Sequence, residues 1–436
     1  MIAAMLLHRR SWSSLGIGGL MLWAVGFLWA GASPAWAQEL RQLEGRYVRI
    51  VTDIRSTPAI DELPRAFDAA VPLWCQFWEL PAAEVEDWRV TAYLMSDREL
   101  FRERGLIPDS LPDFPHGYQW GDSAWVQQQP SDYYTRHLLL HEGAHALASH
   151  AFSGAGPPWF MEGTAELLST HRWDGERMEL PIVPESKEAF PYWGRFKLLD
   201  QRRQTGGTLS LVSVLRYSDT SHRQVEPYAW TWAAAILFEM YPEYRTALLA
   251  AAREGRDATP NFTRQFVAAL GDQWKVAQAR WRVLIDGLDY GYEWDRHRLE
   301  IAADDPLWDG RPVERVVAAD RGWQSVGVRI PAGTRIAIAA DGECVIGREP
   351  KPWITEPEGV TVRYHRGWPR GRLLATLLPT APVSDPKLEP LEVVGIGRQG
   401  ELTATNESWL LLRVADEVGE LADNSGGFGV TLRGGE

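Results

Sequence analysis

Apolar positions along this chain change spacing twice, dividing it into three stretches. From Leu15 to Ala32 they form one uncharged run. From Arg46 to about Glu293 strand-like alternation is interleaved with the helical period. Arg46–Thr52, Arg89–Leu94 and Ser123–Gln127 read as strands. Asp61–Leu80 reads as an amphipathic helix with Leu63, Phe67, Val71, Trp74 and Phe77 inward. Ser131–Phe152 reads as a second helix, with a capping start at Pro130-Ser131 and an apolar surface of Leu138, Leu140, Ala144, Leu147 and Ala148. The turn formers Ser153–Pro158 end it, and another helix begins near Trp159. After Glu293 the helical period stops. Asp304–Pro312 reads as a linker, and short alternating strands follow at 326–330, 335–339, 360–364, 372–377 and 408–414. Gly and Pro turns between them predict a β-sandwich. The expected organisation is a leader at 1–37, an α+β domain at 38–300, a linker at 301–317 and an all-β domain at 318–436.

The helix over 131–152 carries the chemistry. His141 and His145 are four apart and share a face, so both can reach one metal ion. Zinc accepts neutral imidazole nitrogen readily, and a carboxylate from a second helix would complete three protein ligands, leaving a position for water. Glu142 lies beside that face, placed to take a proton from the water. On the next helix Glu162 and Glu166 are again four apart, among Trp159, Phe160, Leu167 and Leu168. An unpartnered carboxylate would be costly in such surroundings. An antiparallel return brings Glu162 to the two histidines as third ligand, with Glu166 orienting a histidine by hydrogen bonding. The bland alternatives are a polar histidine stripe and ordinary surface glutamates.

His141-Glu-x-x-His145 with Trp159-Phe-x-Glu162-Gly-x-Ala-Glu166 resembles the gluzincin metallopeptidases, in particular the bacterial peptidase-MA-like proteins. The resemblance spans roughly residues 45–290. It implies a thermolysin-like catalytic domain, zinc on His141, His145 and Glu162, and Glu142 as general base. It also implies an edge strand at Ser123–Gln127 that pairs with extended peptide. The G-x-M-E-N strand of the aminopeptidase branch is not evident. Hydrolysis needs a donor for the oxyanion. Tyr228, at the start of the helix Pro227–Phe238, resembles the tyrosine of these families, with His222 as runner-up and a structural tyrosine as the plain alternative.

Composition narrows the setting. Arg9-Arg10, the apolar run and Ala35-Trp36-Ala37 follow the order of an export signal cleaved before Gln38, with a retained anchor as the alternative. Without residues 1–37 the chain has 43 basic against 58 acidic side chains, which excludes a nucleic-acid partner. No other segment is apolar enough to span a bilayer. Cys75 and Cys344, the two cysteines, either pair or stay as buried thiols.

At the C-terminal end, Gly322–Val328, Gly371–Leu374 and Asp416–Val430 look like the galactophilic bacterial lectin of the PA-I type. That resemblance implies calcium on Asp416, Asp423 and Asn424 and on the backbone carbonyl of Glu420, and a glycan held through the calcium. A polar turn without metal is the alternative. The sugar-contacting His and Gln of that family are not evident near Gly367–Gly371. The expectation is an exported, periplasmic or secreted bacterial zinc metallopeptidase, acting on peptide or protein, whose β-sandwich docks it to a glycan or protein. The rival is a cell-surface carbohydrate-binding protein with a structural zinc domain.

Overall fold

A five-stranded sheet and the helices packed on it build the first half of the computed structural model, which describes residues 39–217, 224–382 and 385–435. The segment read as an export signal and His222 lie outside the described residues. The strands are β1 (Arg41–Glu44), β2 (Val48–Thr52), β3 (Val90–Met95), β4 (Gly117–Trp120) and β5 (Ser123–Gln127). They form one mixed sheet in the order β1-β2-β3-β5-β4. The pairs β2/β3 and β3/β5 are parallel, whereas β1 and β4 are antiparallel to their neighbours.

This order corrects one expectation. Ser123–Gln127 is an interior strand, paired on both sides, and the free edge belongs to Gly117–Trp120. At four residues, Gly117–Trp120 is too short for a period of two to stand out in the sequence.

Helix α1 (Leu63–Trp78) buries Phe67, Val71, Trp74 and Phe77, as its spacing requires. Helix α2 (Asp132–Phe152) starts where Ser131 accepts a hydrogen bond on Oγ from the Tyr134 amide at 3.0 Å. It ends at Ser153, which takes the left-handed conformation (φ 59°). Helix α3 (Pro158–Ser169) returns after a short turn, with Pro158 at its first position. Gly163 lets α3 close onto α4 (Val225–Met240): a Cβ there would lie 2.5 Å from the Thr231 carbonyl oxygen. These helices and the sheet share one large hydrophobic core.

The second half is β-rich. In one sheet β16 (Ser425–Gly434) is central, flanked by β6 (Val313–Ala318) on one side. On its other side run β8 (Arg335–Asp341) and β9 (Cys344–Val345), with β14 (Gln399–Thr403) and β10 (Ile354–Thr355) outermost. The facing sheet runs β11 (Glu358–His365), β12 (Trp368–Pro379), β15 (Ser408–Val414) and β7 (Gln324–Ile330), and β13 (Val393–Gly395) also pairs with β12. Leu373, Ala375, Leu410 and Leu412 point to the core between the sheets. Their alternate neighbours Leu374, Leu378, Trp409 and Leu411 pack instead on Val276, Ala279 and Val283 of helix α5 (Gln273–Gly287). Every residue of β15 is therefore buried, the pattern of a strand covered on both faces.

The stretch read as a linker is built into this half. The Trp308 amide donates to the Arg329 carbonyl at 2.8 Å, the indole N–H of Trp409 donates to Asp305 at 3.0 Å, and β6 already begins at Val313. Leu40–Glu436 form one compact unit. Cys75 and Cys344 are both free and buried, in different cores. Among the described residues, no helix is long and apolar enough to cross a membrane.

Candidate metal centre

Helices α2 and α3 meet at three side chains whose donor atoms face one another. His141 Nε2 lies 3.0 Å from His145 Nε2 and 3.1 Å from Glu162 Oε2, and the His145–Glu162 distance is 3.4 Å. All three residues are less than a tenth exposed. Two imidazole nitrogens and a carboxylate oxygen that close leave no satisfactory hydrogen-bonding pattern unless a proton or a cation sits among them. Tetrahedral zinc ligands about 2.1 Å from the ion stand about 3.4 Å apart, so this donor set fits such a cation in both chemistry and spacing. Burial disfavours an imidazolium at His141, but the hydrogen bonds and charges of Glu162 and Glu166 outweigh it and push the group up to about 10. Glu162, in spite of its burial, is held down at about 2 by the two histidines. The pocket is thus tuned to hold positive charge.

Glu166, one turn along α3, is fully buried and sits behind the donor set. Arg195 grips its carboxylate with Nε at 2.7 Å and Nη2 at 3.0 Å. Its second oxygen is 3.5 Å from His141 Nδ1, and its first is 3.3 Å from His137 Nε2. His137 is fixed from the other side by a 2.9 Å contact of Nδ1 with the Ser169 carbonyl. Burial works against the Glu166 charge, but Arg195 outweighs it and holds the carboxyl well below its ordinary range. The guanidinium therefore neutralises Glu166, which is free to orient His141 through its outer nitrogen. Arg195 opens the helix Arg195–Gln204, after the left-handed Gly194, and no sequence pattern marks it.

Glu142 is buried on the neighbouring face, and its Oε1 lies against edge strand β4: a Cβ on Gly117 would be 2.3 Å from it. Burial raises its carboxyl above the usual range, partly opposed by His141 and His145. Tyr228, on the first turn of α4, has its ring 5.9 Å from that of His141 and 5.6 Å from the Arg195 guanidinium. Burial, with the charges of Glu162 and Glu142 behind it, lifts its phenol far above the ordinary value, so it remains a donor. The structure thus brings together His141, His145, Glu162, Glu166, Glu142 and Tyr228. Sequence reasoning missed Arg195, the supporting role of His137 and the edge strand.

The second expected metal site is built differently. Asp416 is fully buried, and its carboxylate meets Arg370 at 2.6 Å, the Asn424 side-chain amide at 2.9 Å and the Glu417 amide at 2.8 Å. Arg370 also reaches Glu420 at 2.8 Å. Asp423 accepts instead from the Arg348 amide at 3.2 Å. Among the described residues, three metal-type side chains converge in two overlapping groups only, His141/His145/Glu162 and His137/His141/Glu166, and neither involves residues 416–424. At the turn expected to hold calcium on Asp416, Glu420, Asp423 and Asn424, the Arg370 guanidinium lies between the Asp416 and Glu420 carboxylates, and Asp423 Oδ1 and Asn424 Oδ1 are buried without a hydrogen-bond partner.

No family model matches the chain, and no curated protein matches it. Among solved structures it is similar to a PllA-like lectin, the EclA N-terminal domain, at 25% sequence identity, covering 28% of this chain and 95% of that one. The TM-score of 0.22 is too low for that likeness to bear on fold or function.

Proposed function

We propose that this chain is an exported zinc metallopeptidase of gluzincin type. The observation that carries the reading is the triangle of His141, His145 and Glu162 donor atoms, with Glu142 buried between that triangle and a free sheet edge. A thermolysin-like arrangement is supported by the mixed sheet whose antiparallel edge strand lies beside the paired helices. Export is supported by Arg9-Arg10, the run to Ala32 and Ala35-Trp36-Ala37.

A zinc ion held by His141, His145 and Glu162 would supply Lewis acidity at a peptide carbonyl and acidify a water molecule. The backbone of β4 offers unpaired groups along its free edge, on which an extended peptide aligns by strand addition. Glu142 accepts the proton of the attacking water and returns it to the leaving amine nitrogen. Its raised affinity for a proton, from burial, suits a group that must hold one between the two steps. Tyr228 keeps its proton and donates a hydrogen bond to the developing oxyanion. Glu166, Arg195 and His137 keep His141 aligned.

Glu142→Gln keeps shape and removes the base. Peptidase activity against a proteome-derived peptide mixture should fall by about 10²–10⁴-fold with zinc content unchanged. Cleavage at the wild-type rate by that variant overturns the mechanism.

The second reading is a carbohydrate-binding protein whose zinc domain is structural. A cavity of about 470 Å³ in the β half, lined by Trp353 and three arginines, favours a binding role for that half. In the peptidase reading the same half docks the enzyme to a glycan or protein. Zinc without cleavage of any peptide favours the second reading over the first.

A further inference from the structure

A second cavity, of about 310 Å³, lies where helix α5 of the first half meets the β half. Arg282, Ile285 and Asp286 line it from α5, and Arg366 and the segment Leu388–Leu391 line it from the other side. Both sides are fixed to each other. The Leu388 amide donates to the Thr208 carbonyl at 2.9 Å. Arg366 occupies the turn between β11 and β12 in the left-handed conformation (φ 49°), and its Nη1 donates to the Asp286 carbonyl at 2.9 Å. The cavity is therefore a built joint between two packed elements.

Its three guanidinium groups are engaged unequally. Arg203 donates from Nη1 to the Ile285 and Leu288 carbonyls, at 2.8 and 3.1 Å, and pairs with Asp200. Arg366 pairs with Asp286 at 3.3 Å. Arg282 has a 3.2 Å bond from Nη2 to the Glu389 carbonyl, while its Nε is withdrawn from solvent without a partner. Among the described residues it makes no ion pair. Burial pushes its guanidinium below the ordinary value, and the charges of Glu389 and Asp286 oppose this only in part. A half-buried cation with an unpaired donor has capacity for one anion.

The rest of the wall selects which anion. Asp286 and Glu389 share the cavity with the three arginines, so the surplus is a single positive charge. A dianion such as phosphate would leave its second charge uncompensated. Ile285, Leu388 and Leu391 add buried apolar surface, which phosphate would leave unfilled. An apolar cavity of about 150 Å³ admits benzene, so this one has room for an acid carrying a ring or a short chain.

We propose that this cavity binds a small organic monocarboxylate, its carboxylate on Arg282 and its apolar body on Ile285, Leu388 and Leu391. Such a ligand ties α5 to the β half. The inference goes beyond the peptidase and docking readings and depends on neither.

The test is titration calorimetry of the whole chain with 3-phenylpropionate, 3-phenylpropionamide and inorganic phosphate. The acid should bind, and the neutral amide should bind about tenfold or more weakly. Arg282→Gln should lose about tenfold or more in affinity for the acid. Arg366→Gln, an exposed position whose loss leaves Asp286 uncompensated beside the ligand, should weaken binding in the same direction. Matched urea midpoints show which variants keep the fold. Unchanged affinity in either folded variant overturns the proposal, because an acid caught by a metal ion at His141, His145 and Glu162 would ignore both substitutions. Amide binding as tight as the acid, equal competition by phosphate, or no binding of the acid overturns it as well. None of these outcomes bears on the metal centre's activity.

Discussion

The helix pair at 132–169 and the turn at 416–424 both carry metal-ligand residues at plausible spacing, yet the fold treats them in opposite ways. At the helix pair, donor atoms of His141, His145 and Glu162 are pressed to 3.0–3.4 Å with no cationic side chain between them. The nearest guanidinium, Arg195, is turned to Glu166 behind the site. At the turn, Arg370 sits directly between Asp416 and Glu420. Ligand-type residues are thus necessary but not decisive. What decides is whether the protein has already spent its own positive charge on them.

The contrast can be broken most forcefully at Arg370. Arg370→Met strands the buried Asp416 carboxylate and should cost about 3–5 kcal/mol in urea denaturation at pH 7, while zinc content stays at the wild-type level. A loss below about 1 kcal/mol would mean the guanidinium is not what neutralises the turn.

The next effect concerns pH. His297 Nε2 meets the Val418 carbonyl inside the same turn at 3.0 Å, and burial holds this imidazole down to about 4 from its ordinary 6.5. The folded state therefore resists a proton that the unfolded chain accepts. Stability conferred by neutral His297 is full above about 6.5, declines as pH falls towards 4, and the total change reaches up to about 3 kcal/mol. His297→Gln keeps a donor for Val418 without titrating. Its urea midpoint should lose less than the wild type's between pH 7 and pH 4.5, and parallel losses would refute the assignment.

The smallest effect sharpens the metal side. Glu166→Gln removes the charge behind His141 but no ligand, and should weaken zinc by about 10–100-fold in competition with a chromophoric chelator. An unchanged affinity would show that Glu166 serves packing alone.

How much of this was legible follows the range of the interactions. Helix α2, its Ser131 cap, and the shared faces of His141/His145 and Glu162/Glu166 are set by spacings of four residues or fewer, which periodicity displays directly. Ser408–Val414 was read at its observed bounds, but its burial on both faces depends on α5, more than a hundred residues earlier. Arg195 and Arg370 could not be assigned to their carboxylates, because an arginine's partner across a loop leaves no local pattern. β16, the central strand of its sheet, was hidden by the glycines at Gly426, Gly427 and Gly429, which depress strand propensity while allowing close neighbours. The free edge at Gly117–Trp120 was missed because it is only four residues long, and the interior strand Ser123–Gln127 took its place.

The central claim is that this chain holds one metal ion, at the helix pair and not at the acidic turn. Elemental analysis of purified protein after dialysis tests it directly, comparing the wild type with His145→Ala at matched far-ultraviolet circular dichroism. The account predicts one zinc ion per wild-type chain, its loss in His145→Ala, and no calcium in either. Zinc retained by the variant, or calcium bound stoichiometrically by the wild type, would contradict it.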